Sequence, residues 1–470
     1  MKNWITLLLA LPFYFSALSQ EKFFEEPIGW HGKSIEVHTI SDRDKQTTSI
    51  FLCKDDSVRV FVMDHNQAVI QHFFINRQTD EQFLGGFIKD NKVYAFFQTS
   101  GANSDLHVWT LTIADGLGDD YIIPFAMHHE KAVDQISCGD HFLYFTANRR
   151  ASEFAIYDFY PDKRCDTLRY QFDPAIWRAL TTLNGGWSRE MNVTAIDPDG
   201  YSNPDIAHVP NKLYWRQDTL FLLMNNYERG VTSVYSFDMT GKKVDLRKIT
   251  HNNAAGMDKY TFDYTDNSML LDNKLYFVSA ESGKLNIQIR DFYSGSLLHE
   301  YNTARNDEID YKNTPIIQEG SFYKSGPREL AKTRQLLNKM TSGSSVMIAN
   351  HDDSGHIALT IGAWEKMKSS GGFGVGFAAG AIAGASMFFV QTGMYFRNSR
   401  IRSSRFKMLV DSTTLQHVAG DIPGDIGDRI EHYTDGISIP PEGETLFRNN
   451  GKYVYAYYNR DEHKLMLINF

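Results

Sequence analysis

Few of the residues whose side chains could bind a metal or catalyse a reaction occur at the spacing that such a site requires. Oxygen ligands of the kind that calcium binds occur in one loop, at Asp197, Asp199, Asn203 and Asp205. That loop lacks the full spacing of a calcium-binding loop, and its prolines suit a plain turn. His128-His129-Glu130 holds metal-ligand types, but adjacent side chains of a strand point to opposite faces. We therefore predict no metal site and no cofactor.

Catalytic motifs are also missing. The sequence contains no HExxH, no GxSxG, no phosphate-binding glycine loop and no Rossmann glycine pattern. Asp and Glu together number 57, as a carbohydrate-active hydrolase would require, but no spacing singles out a pair. In a repeat fold such a pair would converge from distant parts of the chain. We therefore assign no catalytic residue.

One segment carries a clear pattern. No charged residue occurs between Lys368 and Arg397, and an uncharged run of this length can span a bilayer as one helix. Glycines recur there every four residues, which places them along one helix face and lets helices approach closely in lipid. Within the segment 369–396, the predicted membrane or helix-packing residues are Gly372, Gly376, Gly380 and Gly384.

This uncharged segment has three interpretations. It is a stop-transfer helix, an insertion that contacts a membrane with both flanks on one side, or a glycine-rich hairpin buried against the protein. The positive-inside rule favours the first, because the segment is followed by Arg397, Arg400, Arg402, Arg405 and Lys407. The residues around it favour the second. Thr360 to Glu365 and Arg405 to Asp411 look like two strands of one β unit, so the segment interrupts a hairpin.

The N-terminus and the bulk composition indicate an exported protein. Lys2, the apolar run Ile5 to Phe15 and the small residues before Gln20 match a signal peptide over residues 1–19; an uncleaved anchor is the alternative. The net charge of −9 and the pI near 6 do not suggest a nucleic-acid partner. Three cysteines cannot all pair internally, and we expect free, structural thiols at Cys53, Cys138 and Cys165.

A local pattern returns seven times along the chain. An apolar residue leads into a turn of Asp, Asn or Gly, and an apolar-aromatic strand follows, as hairpins require. The seven copies begin at Cys53, Ile88, Cys138, Trp215, Leu271, Asn350 and Phe447. A second alternating strand follows many of them. Radial repetition of such units predicts an all-β fold, a β-propeller of about seven blades with 20–470 as one domain. Uneven spacing leaves six or eight blades, or stacked β-sandwiches, as alternatives.

Two further elements complete the predicted architecture. The last unit offers three strands, so we expect Ser34 to Ile40 to pair as the outer strand of the last blade and close the ring. Residues 325–342 form a predicted helical insertion, with Ser325 as cap and Pro327 in the first turn.

These patterns favour a non-catalytic function. The prediction is an exported, membrane-associated binding or scaffolding propeller, periplasmic or at the cell surface. It would contact lipid or a membrane protein through 369–396 and a protein or glycan ligand elsewhere. The alternatives are a carbohydrate-active hydrolase with its site at the propeller mouth, and a type I membrane sensor with residues 20–367 outside.

Overall fold

The computed structural model describes residues 20–32, 34–42, 47–78, 80–99, 105–125, 127, 129–184, 188–196, 201–202, 204–251, 263–320, 327–352, 354–366, 401–422, 424, 426–439 and 441–470. The predicted signal peptide and the segment 369–396 with its four glycines lie outside these residues. Within them, no helix is both long enough and apolar enough to cross a bilayer.

Seven sheets of four or five strands make up the described fold, and the predicted all-β propeller is confirmed. In order along the chain, the elements before the fourth sheet are β1 (Glu21–Pro27), β2 (Glu36–Asp42), β3 (Thr47–Lys54), β4 (Ser57–Met63), β5 (Val69–Asn76), β6 (Glu81–Lys89), β7 (Lys92–Thr99), β8 (Leu106–Thr112), β9 (Gly118–Ile123), β10 (Glu130–Cys138), β11 (His141–Asn148), β12 (Glu153–Phe159), β13 (Cys165–Gln171), α1 (Pro174–Ala179), β14 (Thr181–Asn184) and β15 (Ser188–Met191).

The second half continues the repetition. Its elements are β16 (Val193–Ala195), α2 (Pro204–Ala207), β17 (Asn211–Arg216), β18 (Thr219–Glu228), β19 (Val231–Asp238), β20 (Lys243–Thr250), β21 (Tyr264–Leu271), β22 (Lys274–Glu281), β23 (Lys284–Asp291), β24 (Leu297–Ala304), β25 (Ile317–Glu319), β26 (Arg328–Glu329), α3 (Thr333–Ser342), β27 (Ser344–His351), β28 (Ile357–Lys366), β29 (Ile401–Val410), α4 (Ile426–Asp435), β30 (Glu442–Asn449), β31 (Lys452–Asn459) and β32 (Lys464–Asn469).

Each blade is one sheet with an inner and an outer edge. Blades 1, 2, 3 and 5 are simple meanders, β2–β5, β6–β9, β10–β13 and β21–β24. Blade 4 is β16–β20, where β16 runs parallel to β17, and blade 6 has the order β26-β25-β29-β28-β27. Blade 7 has the order β1-β32-β31-β30, and β14 and β15 form a separate two-stranded hairpin. The inner strands are β2, β6, β10, β16, β21, β27 and β30.

The repeated turns adopt the backbone conformation that their residues favour. Asp90 and Asn91 have φ of 50° and 61°, the left-handed region of a tight hairpin turn. In blades 2 to 7 the repeated turn follows the inner strand, or β17 in blade 4. In blade 1 the turn at Asp55 instead joins β3 to β4. The first copy of the pattern therefore lies one strand later in its blade than the other copies do. This shortens the sequence separation between the first and second copies.

The ring closes as predicted, but with a different segment. Strand β1 pairs with β32, from Glu21 opposite Asn469 to Pro27 opposite Lys464, and is the outer strand of blade 7. The predicted segment Ser34–Ile40 instead supplies β2, the inner strand of blade 1. Its Val37 and Ile40 are buried there, whereas Phe23 and Phe24 of β1 are only partly buried at the rim. An inner strand is covered by blades on both sides, so β2 takes the more apolar positions.

The predicted helix is shorter than the range 325–342. Helix α3 covers Thr333–Ser342, while Arg328 and Glu329 form strand β26 beside β25. Pro327 therefore precedes a strand and does not begin the helix. Leu336, Leu337 and Met340 are fully buried on blades 5 and 6, which gives this short helix the packing it needs.

Candidate functional site

The inner strands of the blades begin on one face of the ring. A meander of four strands ends on the face where it began, so consecutive blades begin on a common face. Side-chain contacts between the starts of neighbouring inner strands agree with this. Ser34 N–H donates to Glu442 Oε1 at 2.5 Å, and the Thr265 and Ser345 hydroxyls are 2.6 Å apart. We call the side on which the inner strands begin the entry face.

The described residues on either side of the uncharged segment meet at one point on the entry face. Strands β28 and β29 are antiparallel neighbours along their full length, and the pairing continues to Lys366 opposite Ile401. The segment therefore interrupts a single hairpin, as the flanking strand patterns predicted.

Charged residues brace the base of this hairpin. Glu365 Oε2 lies 3.5 Å from Arg402 Nη1 and 3.9 Å from Lys339 Nζ of helix α3. Arg405 Nη1 is 2.6 Å from Glu319 Oε2 on the neighbouring strand. Further along β29, Lys407 Nζ is 2.6 Å from Asp428 Oδ2 of helix α4. Because these three cations pair within the protein, they do not form a free positive flank.

A connection from blade 4 crosses to blades 5, 6 and 7. It comprises the described residues 201–202 and 204–210, and we call it the crossing segment. Tyr201 packs with the aromatic cluster around α4 and β31 of blade 7. His208 stacks on Trp364 of blade 6, with ring centroids 3.7 Å apart. Ile206 and Ala207 are buried, and Ala207 contacts the inner strand of blade 6. Near the entry face, apolar side chains of the crossing segment therefore pack against the inner strand β27.

Asn267 of blade 5 joins the crossing segment to the ring. Its Nδ2 donates to the carbonyl oxygens of Ala207 at 2.9 Å and Ser345 at 2.7 Å. Its Oδ1 accepts from Ser268 N–H at 2.8 Å and from Lys212 Nζ at 2.5 Å. This one amide therefore connects three blades.

Lys212 is buried without an opposite charge. Its side chain is 0 % exposed, and its Nζ donates to Asn267 and to the Val209 carbonyl oxygen at 2.7 Å. No carboxylate of the described residues forms an ion pair with it. Burial lowers the pKa of Lys212 to about 7, because an ammonium ion loses its hydration there.

A second buried polar layer separates blades 4 and 5. Asn225 Oδ1 accepts from Thr232 Oγ1 at 2.8 Å and from Ser268 Oγ at 3.0 Å. His251 Nε2 lies 3.0 Å from Thr232 Oγ1, and burial lowers the pKa of His251 to about 3. The imidazole is therefore neutral near pH 7 and serves as a hydrogen-bonding group in the interior.

Two carboxylates at the entry face are bound by cations and hydroxyls of their own blades. In blade 2, His107 lies between Glu81 and Asp120, at 2.9 Å from each, and the hydrogen bond to Glu81 raises the pKa of His107 most. In blade 3, Glu130 accepts from Thr146 Oγ1, Tyr157 Oη and Arg169 Nη1 at 2.6 to 2.8 Å.

In both networks the glutamate is held by partners from its own blade. Burial alone would raise the pKa of Glu130, but hydrogen bonds from its three partners outweigh burial and hold the pKa below its usual value. Glu81 and Glu130 each begin an inner strand, and each is satisfied by its own blade. The carboxylate near each one, Asp120 for Glu81 and Glu153 for Glu130, is bound by the same His107 or Arg169, whereas general acid–base hydrolysis requires a free pair.

The other residues considered from the sequence lie apart from these networks or outside the described residues. Among the described residues, no group of His, Cys, Asp and Glu is arranged to hold a metal ion. His129 precedes β10 with φ of 60°, and Glu130 belongs to the blade 3 network; His128 is outside the described residues. In the acidic loop Asp205 falls in α2, while Asp197, Asp199 and Asn203 also lie outside.

The cysteines form no disulfide among the described residues. Cys53 and Cys138 are buried, and Cys165 is half-buried. Burial raises the pKa of Cys53 to about 12 and that of Cys165 to about 11. A thiol with so high a pKa is protonated near pH 7 and is a poor nucleophile.

The fold and these sites define a β-propeller module. No family model and no curated protein sequence matches the chain. Solved structures that it resembles include quinohemoprotein alcohol dehydrogenase ADHIIG of Pseudomonas putida HK5, at 8 % identity over 96 % of this chain and 76 % of that one, with a TM-score of 0.37. The WD40 domain of SCAP from fission yeast is similar at 9 % identity over 95 % and 98 %, with a TM-score of 0.32.

A third likeness covers less of both chains. Cobalt-substituted Synechocystis apocarotenoid oxygenase shares 7 % identity over 59 % of this chain, with a TM-score of 0.31. This chain spans 63 % of the length of that structure. At these levels the likenesses concern the fold alone, and the propeller assignment rests on the sheet topology.

Proposed function

We propose that this protein is an exported β-propeller that binds or scaffolds partners at a membrane surface, with the segment 369–396 as its membrane contact. The observation that carries the proposal is the pairing of Lys366 with Ile401, which brings the described flanks of the uncharged segment to one point of the entry face. The segment contains 28 consecutive uncharged residues, a composition that suits an apolar environment.

The sheet pairing argues against a single membrane crossing. A stop-transfer helix would place β29 and blade 7 across the bilayer from β28. Yet β28 pairs with β29, and β1 from the start of the described chain pairs with β32 at its end. Interstrand hydrogen bonds cannot form across a bilayer, so the type I sensor would require an open ring.

The crossing segment argues against the hydrolase alternative. Its Ile206, Ala207 and Val209 are buried apolar residues among the inner strands at the level of the entry face. A glycosidase site there would need two carboxylates free to face a sugar. Glu81 and Glu130, which lie at the entry face, are engaged within their own blades.

Replacing 369–396 with a short Gly-Ser turn tests the proposal. We expect the variant to move from the membrane fraction to the soluble fraction while its thermal unfolding temperature stays unchanged, because β28 and β29 remain paired. A variant that stays with the membrane would contradict the proposal.

A matched variant distinguishes lipid from a membrane protein as the partner. Changing Gly372, Gly376, Gly380 and Gly384 together to Leu keeps the segment apolar but removes its small-residue face. Retention in the membrane fraction and on protein-free vesicles supports lipid contact. Loss from the membrane fraction indicates close packing against a protein. Protease accessibility of residues 446–470 from outside intact cells provides the topology control, and protection of this region would support the type I sensor.

A further inference from the structure

The outer edge of blade 1 differs from every other outer edge in the described ring. An outer strand presents unpaired backbone groups, and charged side chains usually protect it from pairing with another chain. Such charges occur in β1, β9, β13, β20, β24 and β26. Strand β5 has none, since it reads Val-Ile-Gln-His-Phe-Phe-Ile-Asn from Val69 to Asn76. This edge therefore lacks charged protection, and the described strand has a bulge at Ile70, where Gln71 pairs with Val62 and Val69 with Met63.

Strand β5 also exposes large apolar side chains. Ile70 is 49 % exposed and Phe74 is 61 % exposed, while Phe73 and Ile75 are buried toward the blade interior. Ile70, His72 and Phe74 are exposed at two-residue spacing, and the pairing with β4 shifts by one residue at Ile70. Among the described residues, β4 is the only strand that pairs with β5. A long, uncharged and apolar edge of this kind is a template for strand addition.

We propose that β5 is a dimerisation edge, on which a second copy of this chain adds its own β5 in antiparallel orientation. The sequence of β5 is complementary to itself in that arrangement. A twofold axis at His72 places His72 opposite His72 of the second copy, and Ile70 opposite Phe74, twice by symmetry. Aliphatic and aromatic side chains directly opposite each other stabilise an antiparallel pair.

Charge favours this edge for self-association over the others. The chain carries a net charge of −9, so two copies repel when charged faces meet. Pairing of β5 with itself brings no charged strand residue opposite another. In the same arrangement β9 would bring together Asp119 and Asp120 of both copies.

Sedimentation velocity of the mature chain, residues 20–470 in one detergent throughout, tests the dimer between about 1 and 100 µM. We expect a dimer whose dissociation constant rises at least about 100-fold in Phe74→Lys, because the new ammonium would face Ile70 of the second copy. Leu298→Lys is the matched control, since Leu298 is 45 % exposed on the outer strand of blade 5. This control should leave the dimer unchanged.

Disulfide trapping tests the register independently. His72→Cys should form a covalent dimer on mild oxidation, because opposite residues of an antiparallel pair lie within bridging distance. Phe74→Cys should not, because the two copies of residue 74 would lie about 14 Å apart along the strands. A chain that remains monomeric at all these concentrations would overturn the proposal. So would a Phe74→Lys variant that dimerises as tightly as the wild type, or equal trapping by the two cysteine variants.

Discussion

The buried amine of Lys212 has a measurable cost for the folded state. Its ordinary pKa is 10.5, and burial lowers the pKa to about 7. Above pH 10.5 the amine is neutral in both the folded and the unfolded chain, and no cost arises. As pH falls from 10.5 to 7, the unfolded chain takes up a proton that the folded chain excludes, so stability decreases. Below pH 7 both states are protonated and the cost is constant.

The size of this cost follows from the pKa difference. At 1.36 kcal/mol per pH unit, the interval from 10.5 to about 7 corresponds to about 5 kcal/mol. In Lys212→Met the cost disappears, but the Val209 carbonyl oxygen loses its partner, at about 1–3 kcal/mol. Asn267 Oδ1 keeps the hydrogen bond from Ser268 N–H. We therefore expect the variant to be more stable than the wild type by about 2–4 kcal/mol at pH 7.

Urea unfolding followed by tryptophan fluorescence, at several pH values from about 7 to 9.5, provides the assay. The advantage of Lys212→Met should shrink by about 1.4 kcal/mol for each unit of rising pH. Lys243→Met is the control; pairing with Asp245 raises the pKa of Lys243 above 10.5, so Lys243 is protonated in both states at pH 7 to 9.5 and its replacement should produce no pH-dependent difference there. A stability difference for Lys212→Met that does not vary with pH would refute the reasoning. So would a variant less stable than the wild type at pH 7.

Two further variants test other parts of the ring. Gly443→Ala should lower the free energy of unfolding by at least about 2 kcal/mol, because Gly443 has φ of 56° and a Cβ would lie 2.6 Å from the Ile35 carbonyl oxygen. Gly355→Ala, at φ of 84° but with open space around it, should cost only the backbone strain; equal losses in urea unfolding would argue against the contact. Glu130→Gln should cost about 1–3 kcal/mol at pH 7 through the weakened bond to Arg169, whereas Glu153→Gln should cost less. Because the pKa of Glu130 is lowered in the fold, its contribution is present above about pH 4.5 and is lost as pH falls further, so unfolding temperatures of the Glu130 variant and the wild type should converge in acid.

Much of the fold could be predicted because its signal is local. Hairpin turns of Asp, Asn and Gly between apolar strands occur in every blade, and each depends only on neighbouring residues. The hairpin that carries 369–396 was predictable for the same reason, since β28 and β29 both show strand patterns. Closure of the ring by an N-terminal strand was predicted correctly, but the predicted strand was wrong. The choice between β1 and β2 depended on which of them the neighbouring blades would cover.

The candidate sites could not be predicted in this way. The Glu130 network joins residues from β10, β11, β12 and β13, and the amide of Asn267 joins three blades, so no spacing along the chain marks either. Arg402, Arg405 and Lys407 suggested a positive membrane flank from their order alone. Their ion pairs with Glu365, Glu319 and Asp428 became visible only when β29 had neighbours.

By itself the sequence determined the type of unit, its approximate number and the position of the uncharged insertion, because turns and alternating strands are properties of short segments. Tertiary structure decided the environment of each residue. Lys212 and Lys274 stand in nearly the same local sequence, Asn-Lys-Leu-Tyr followed by an aromatic residue. Lys274 follows a hairpin turn and is half-buried, whereas Lys212 lies beneath the crossing segment and is fully buried. The difference arises because the crossing segment and Asn267 of blade 5 enclose Lys212, and only the packing of blade 5 against blade 4 brings Asn267 there.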